Sequence, residues 1–152
     1  MKIRTEILPD GEEEIVIKCK DRTDRIMALE SLIEKAVKSQ GDIPLYISNT
    51  EYYVSKNDIL FFETNDGKVY AHTKSRIFTS RYRLFEIEQI MPSYFIRISK
   101  SAIANTKMIS SLKRELTGNG EIGFRGCEKK VYFSRGYYKF LHDKIEETRL
   151  GI

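Results

Sequence analysis

The amino-acid sequence predicts a mainly β, antiparallel protein, and three observations lead there. Short runs of β-branched and aromatic residues succeed one another closely between Leu45 and Phe133. Turn signals such as Asn65-Asp66-Gly67 and Thr117-Gly118-Asn119-Gly120 lie between them, as expected for strands joined by tight turns. Apolar residues at helical spacing are confined to three stretches. The 152 residues include 9 Tyr and 8 Phe and are 41% hydrophobic, which suits one domain with a real core, with or without a modest extension.

The elements follow in order. Lys2-Ile3-Arg4-Thr5-Glu6-Ile7 alternates with period two, as a half-buried strand does. Pro9-Asp10-Gly11 is a turn, since Pro presets φ and Gly accepts a positive one. Glu14-Ile15-Val16-Ile17-Lys18 returns as the second arm of a hairpin. From Asp24, the residues Ile26, Met27, Leu29, Leu32, Ile33, Ala36 and Val37 recur by threes and fours and predict a helix. Asp21, Thr23 or Asp24 caps it, and Gly41 with Pro44 ends it. Residues 1–43 thus read as a hairpin-plus-helix extension for docking or dimerisation, or as a cover for an open edge, and residues 44–152 as the main domain.

Within the main domain, strands are expected at residues 45–47, 52–54, 59–62, 68–73 and 76–79. A short helix over residues 83–91 places Leu84, Ile87, Ile90 and Met91 on one face, and Pro92 stops it. Strands resume at residues 94–99, 108–113, 121–125 and 130–133. Residues 101–105 lie between them as a tight turn, with Ser101 and Asn105 capping it and Ala102, Ile103 and Ala104 tucked beneath. A C-terminal helix over residues 136–149 gathers Tyr137, Phe140, Leu141 and Ile145.

Composition excludes several classes. No window approaches 18 apolar residues without a charge, so no membrane helix is expected. The N-terminus lacks the apolar stretch of a signal peptide, and a cytoplasmic protein is the expectation. Cys19 and Cys127 stand far apart without a CxxC pair, which fits two free thiols more simply than a disulfide. His72 and His142 form no metal-ligand motif. Glu115, Glu121 and Glu128 are dispersed rather than clustered for a divalent cation, so no enzyme, cofactor, metal or small-molecule substrate is expected.

The net charge of +4 hides an asymmetry. Residues 1–42 hold 8 Lys+Arg against 10 Asp+Glu, and residues 43–152 hold 18 against 12. Between Arg97 and Lys139 there are ten basic residues and three acidic ones. Such a surface attracts polyanions, nucleic acid above all.

The most informative stretch is Phe95-Ile96-Arg97-Ile98-Ser99-Lys100-Ser101-Ala102-Ile103-Ala104-Asn105. It is followed about thirty residues later by Ser134-Arg135-Gly136-Tyr137, which closes a strand with a basic residue just before a helix. With Phe61-Phe62-Glu63-Thr64-Asn65-Asp66-Gly67-Lys68 near the start of the domain, this sequence resembles the LytTR family of bacterial DNA-binding domains over roughly residues 44–148. That family carries an F-x-R-x-[HR]-x-S-x-x-x-N stretch, a strand hairpin and a closing S-R-x-[YF] element. One departure is Ser99, which stands where many members have His or Arg two before the motif Ser. Residues 1–43 lie outside the resemblance, and they are too short to be the receiver domain that many members carry.

The resemblance implies an elongated stack of small antiparallel sheets. It implies a transcriptional regulator whose loops, from the two ends of the domain, enter successive major grooves of a bent duplex. Carried over by motif, the loop positions are Lys68, Lys100 and Arg135. The guanidinium of Arg135 suits a bidentate grip on G O6/N7. Lys68 and Lys100 reach either a base edge or a phosphate, phosphate being the simpler expectation. Lys107, Lys113, Arg114, Lys129 and Lys130 are assigned to backbone or long-range electrostatic contacts, and Arg97 is counted among the DNA-binding residues. Expected partners are double-stranded DNA and a second copy of the chain, docked through residues 1–43. An inhibitory membrane protein is a further expectation, because stand-alone members are found encoded beside such proteins. Two other readings remain open: an RNA or single-strand module, given Tyr137 and Tyr138 beside Arg135, and a protein-interaction module without DNA contact.

Overall fold

The strands that read as continuous apolar runs lie at the centre of the molecule, where both faces of a sheet are covered. The computed structural model describes every residue except 8, 12, 13, 39, 40, 151 and 152, and only the backbone of Lys38 and Leu150. After α1 (Asp24–Lys38) come β1 (Asp42–Ile47), β2 (Thr50–Ser55), β3 (Phe61–Asn65), β4 (Lys68–His72) and β5 (Ile77–Ser80). Then follow α2 (Leu84–Ile90), β6 (Phe95–Ser99), β7 (Ala102–Asn105), β8 (Ile109–Arg114), β9 (Gly120–Phe124), β10 (Lys130–Phe133) and α3 (Tyr138–Leu150). One antiparallel sheet has the order β2-β1-β5-β4-β3-β7-β6, and a second has β10-β9-β8.

The two-residue period of the strands assigns neighbours to opposite faces of the large sheet. Phe62, Phe95 and Ile103 join Leu84 and Ile87 of α2 in one core cluster. Phe61, Ile96, Ala102 and Ala104 join Ile122, Phe124, Val131 and Phe133 of the small sheet and Leu141 of α3 in the other. The large sheet is therefore the middle layer. Pro92 follows α2, whose Met91 N–H still closes on the carbonyl of Ile87.

Three expectations are corrected. Residues 101–105 are not a turn with a tucked apolar run: Ala102–Asn105 is strand β7, paired to β3 and β6 and buried throughout. The turn is only Lys100-Ser101, where Ser99 Oγ accepts from the Ser101 N–H. Asn105 does cap, accepting from the Lys107 N–H while donating through Nδ2 to the carbonyl of Ile59. The N-terminal hairpin does not form among the described residues. The turn lies at Pro9-Asp10, but none of the described residues in segments 2–7 and 14–18 is in a strand. A lone two-stranded hairpin is marginal in water without a third strand or a helix to cover it, and Ile3, Ile7, Ile15 and Val16 are all exposed. In α3, finally, Leu141 is buried but Phe140 is exposed; Tyr138 turns inward in its place, against Phe133.

Candidate nucleic-acid interface

Register brings Lys68, Lys100 and Arg135 to one edge of the molecule. Lys68 pairs with Asn65 across the β3–β4 turn, where Asp66 and Gly67 both take positive φ. On the other side of β3, Glu63 pairs with Ala102, and both the N–H and the hydroxyl of Thr64 donate to the carbonyl of Ser101. Lys100 therefore sits one strand away from the Lys68 hairpin, on the neighbouring turn. At the end of β10, the Ser134 N–H donates to the carbonyl of Ile98, which fixes Arg135 beside the same β6–β7 turn. The three stand in a row with Lys100 in the middle, all exposed. At strand spacings of about 5 Å, the row from Lys68 to Arg135 is roughly 20 Å between backbones.

Arg135 is positioned by two residues that lie outside its own motif. Its backbone N–H donates to Asn119 Oδ1 at 2.8 Å, from the β8–β9 turn. Its side chain lies over Gly118, where a Cβ would stand 2.5 Å from Cδ and 2.6 Å from Cγ. Gly118 has φ +89°, so the turn needs glycine twice over: for its backbone and for the Arg135 stem above it. The Thr117-Gly118-Asn119-Gly120 signal located the turn. Nothing in the linear order shows that Asn119 holds residue 135.

The other assigned cations fall into three groups. Lys113 and Arg114 end β8 opposite Glu121 and Gly120, at the same edge as Arg135; the Arg114 guanidinium lies 4.2 Å from the centroid of Tyr138. Arg97 is engaged elsewhere, pairing through Nε with Glu88 at 2.9 Å and donating through Nη1 to the carbonyl of Lys100. It thereby braces the β6–β7 turn from α2. Lys107, Lys129 and Lys130 are at the opposite ends of their strands. Lys107 Nζ sits 4.1 Å over the Tyr94 ring, and Lys130 is 3.8 Å from Glu121. Lys129 donates to the carbonyl of Arg76, with its ammonium pulled below the usual lysine value by burial.

A groove of about 420 Å³ runs behind the turn edge, lined by Thr64, Ser99, Ser101, Asn119 and Ser134 among others, with Glu63 and Glu115 at its sides. Its hydroxyls and amide suit hydrogen bonding to a phosphodiester. Below it, His72 Nε2 meets Glu63 Oε1 at 2.8 Å, and the ring stacks on Phe61. Burial pushes the imidazole below its ordinary value, with Glu63 pulling the other way. Nδ1 is buried without a partner among the described residues, which fits a neutral ring donating from Nε2. Among those residues no cluster of His, Cys, Asp or Glu could hold a metal, and no helix is long and apolar enough to cross a membrane.

The turns of this β scaffold align exposed cations along one edge, an arrangement that suits a polyanion. Over residues 49–146 the sequence fits the LytTr DNA-binding domain, and the chain belongs to that family. It is 28% identical over 136 residues to an uncharacterised HTH-type transcriptional regulator of Staphylococcus aureus strain NCTC 8325 / PS 47, covering 90% of this chain and 91% of that one. A counterpart in strain COL matches equally. Among solved structures, the LytTr DNA-binding domain of a protein described as a methyl-accepting/DNA response regulator from Bacillus cereus superposes with a TM-score of 0.64. It covers 70% of this chain and 97% of that one at 20% identity, a likeness of fold.

Proposed function

We propose that the protein is a sequence-specific, double-stranded DNA-binding transcriptional regulator that reads the duplex with turns. The observation that carries this reading is the row Lys68, Lys100, Arg135 on one edge, on three turns tied together by backbone hydrogen bonds. Membership of a DNA-binding family and relatives named as transcriptional regulators support it. The relatives' names mention a helix-turn-helix. Among the described residues of this chain, α1, α2 and α3 are each separated from the next by strands, so no pair of successive helices is available to present a recognition helix. Turns do that work instead.

Arg135 takes the base-reading role, because its fork is exposed and its backbone is fixed at Asn119. Lys68 and Lys100, at the end and the middle of the row, grip phosphates, with Lys113 adding to the field at the same edge. Arg97 shapes the β6–β7 turn rather than touching DNA. A row of roughly 20 Å, extended by side chains, approaches the 34 Å that separates successive major grooves. Bending the duplex toward the protein closes the remainder, at a cost of about 1–6 kcal/mol.

Selection of bound duplexes from a random pool tests the reading. The parent should enrich a defined motif, and Arg135→Ala should lose about 1–3 kcal/mol of binding and relax one base position. An unchanged motif and affinity would remove Arg135 from the interface. RNA that duplex DNA fails to displace would replace the whole reading with an RNA-binding one.

A further inference from the structure

Among the described residues, the first 37 carry 8 of the 14 exposed large hydrophobics, including Ile3, Ile7, Ile15, Val16, Leu32 and Val37. Large exposed apolar areas in a soluble protein mark sites of interaction. The segment Glu14-Ile15-Val16-Ile17-Lys18 alternates as a strand does, yet it pairs with no strand among the described residues. Its sequence has one further property: it is self-complementary when run against itself in the opposite direction.

We propose that two copies of the chain associate through antiparallel pairing of residues 14–18 about a two-fold axis at Val16. In that register Glu14 of one copy faces Lys18 of the other, twice, and Val16 faces its own copy. Ile15 faces Ile17 twice. Because side chains alternate between faces, the four isoleucines form one wholly apolar face. The two valines and the two Glu–Lys pairs form the other. Moving the register by two residues sets Glu14 against Lys20 or Glu12 against Lys18, but it parts the isoleucines, setting Ile15 against Cys19 or Ile17 against Glu13. Directly opposed unlike charges and β-branched pairs are what stabilise a ladder, and an isologous contact of this kind closes on itself as a dimer. The apolar stripe of α1, with Leu29, Leu32, Ile33 and Val37 within about a third of its circumference, then has the isoleucine face to cover. Between the segment and the body of α1, Arg22 pairs with Glu30 at 2.7 Å. The hairpin that is not seen among the described residues is thereby replaced by a sheet assembled from two chains.

The test uses the full chain with Cys19 and Cys127 replaced by Ser, both being free thiols. Residues facing each other on the axis bring their Cα atoms within disulfide range, so Val16→Cys should oxidise quantitatively to a cross-linked dimer. Leu116→Cys, exposed on the β8–β9 turn, should not. Without cross-linking, Glu14→Lys should weaken the dimer at least several-fold by sedimentation or light scattering, and adding Lys18→Glu should restore it. A full chain that is monomeric at tens of micromolar, a Val16→Cys variant that cross-links no faster than Leu116→Cys, or a charge swap that fails to rescue would each overturn the proposal. Duplex binding by the monomeric variants, measured separately, distinguishes failure of this contact from failure of the turn edge.

Discussion

Gly118→Ala probes the coupling between a turn and the side chain expected to read DNA. Two effects follow from the geometry. At φ +89° an L-residue carries a backbone cost of about 1–2 kcal/mol, which appears as lost stability. The new methyl would also stand 2.5 Å from Arg135 Cδ, about 1 Å inside an ordinary carbon contact. Arg135 must move, and a bidentate contact does not survive displacement on that scale. The binding loss should therefore approach that of removing the guanidinium, about 1–3 kcal/mol or 5- to 150-fold. Fluorescence anisotropy on a selected duplex, well below the unfolding transition, measures it. A double-mutant cycle is decisive: in an Arg135→Ala background, Gly118→Ala should cost almost nothing further in affinity. Parental affinity for Gly118→Ala, or full additivity with Arg135→Ala, would disprove the coupling.

Three further outcomes concern the scaffold. Gly120→Ala should destabilise the small sheet by about 3 kcal/mol in chemical denaturation, since its Cβ would meet the Lys113 carbonyl at 1.9 Å and the Phe133 ring at 2.6 Å. Asn105→Ala should cost about 1–3 kcal/mol by the same assay, because it strands the buried carbonyl of Ile59 and removes the cap on the part-buried N–H of Lys107. His72 makes stability depend on pH. Its folded pKa is depressed, chiefly by burial, so the unfolded chain binds the proton more readily. Stability is then whole above the ordinary value of 6.5 and declines as the pH falls from there through the folded value. Denaturation midpoints between pH values of about 7.5 and 5.5 should show that decline in the parent and lose it in His72→Gln.

Much of this was legible in the order of residues, and the exceptions have physical causes. Alternation and turn chemistry locate nine of the ten described strands. The missed one, β7, is Ala102-Ile103-Ala104-Asn105, a short run buried on both faces; a central strand of that kind has no polar alternation to betray it. The N-terminal arms fail in the opposite way, with a strand pattern clear in the sequence but no strand there among the described residues. Lys68, Lys100 and Arg135 are carried over by motif from the family resemblance. Their assembly into one row was not legible, since it depends on the bonds Thr64 to Ser101 and Ser134 to Ile98. Arg97 shows the limit of counting charge: it is as basic as its neighbours, yet Glu88, nine residues away across the end of α2, holds it.

Duplex DNA held along the turn edge has a consequence in salt that no other placement shares. Duplex binding should be followed across salt concentrations for the parent, for Lys68→Ala/Lys100→Ala and for Lys129→Ala/Lys130→Ala. Each lost phosphate contact should reduce the slope of log K against log salt by about 0.9. The turn-edge pair should therefore flatten the slope by nearly 2, and the pair at the opposite strand ends should leave it close to parental. Equal slopes for the parent and the turn-edge variant, or a larger change from Lys129 and Lys130, would place the duplex elsewhere on the protein.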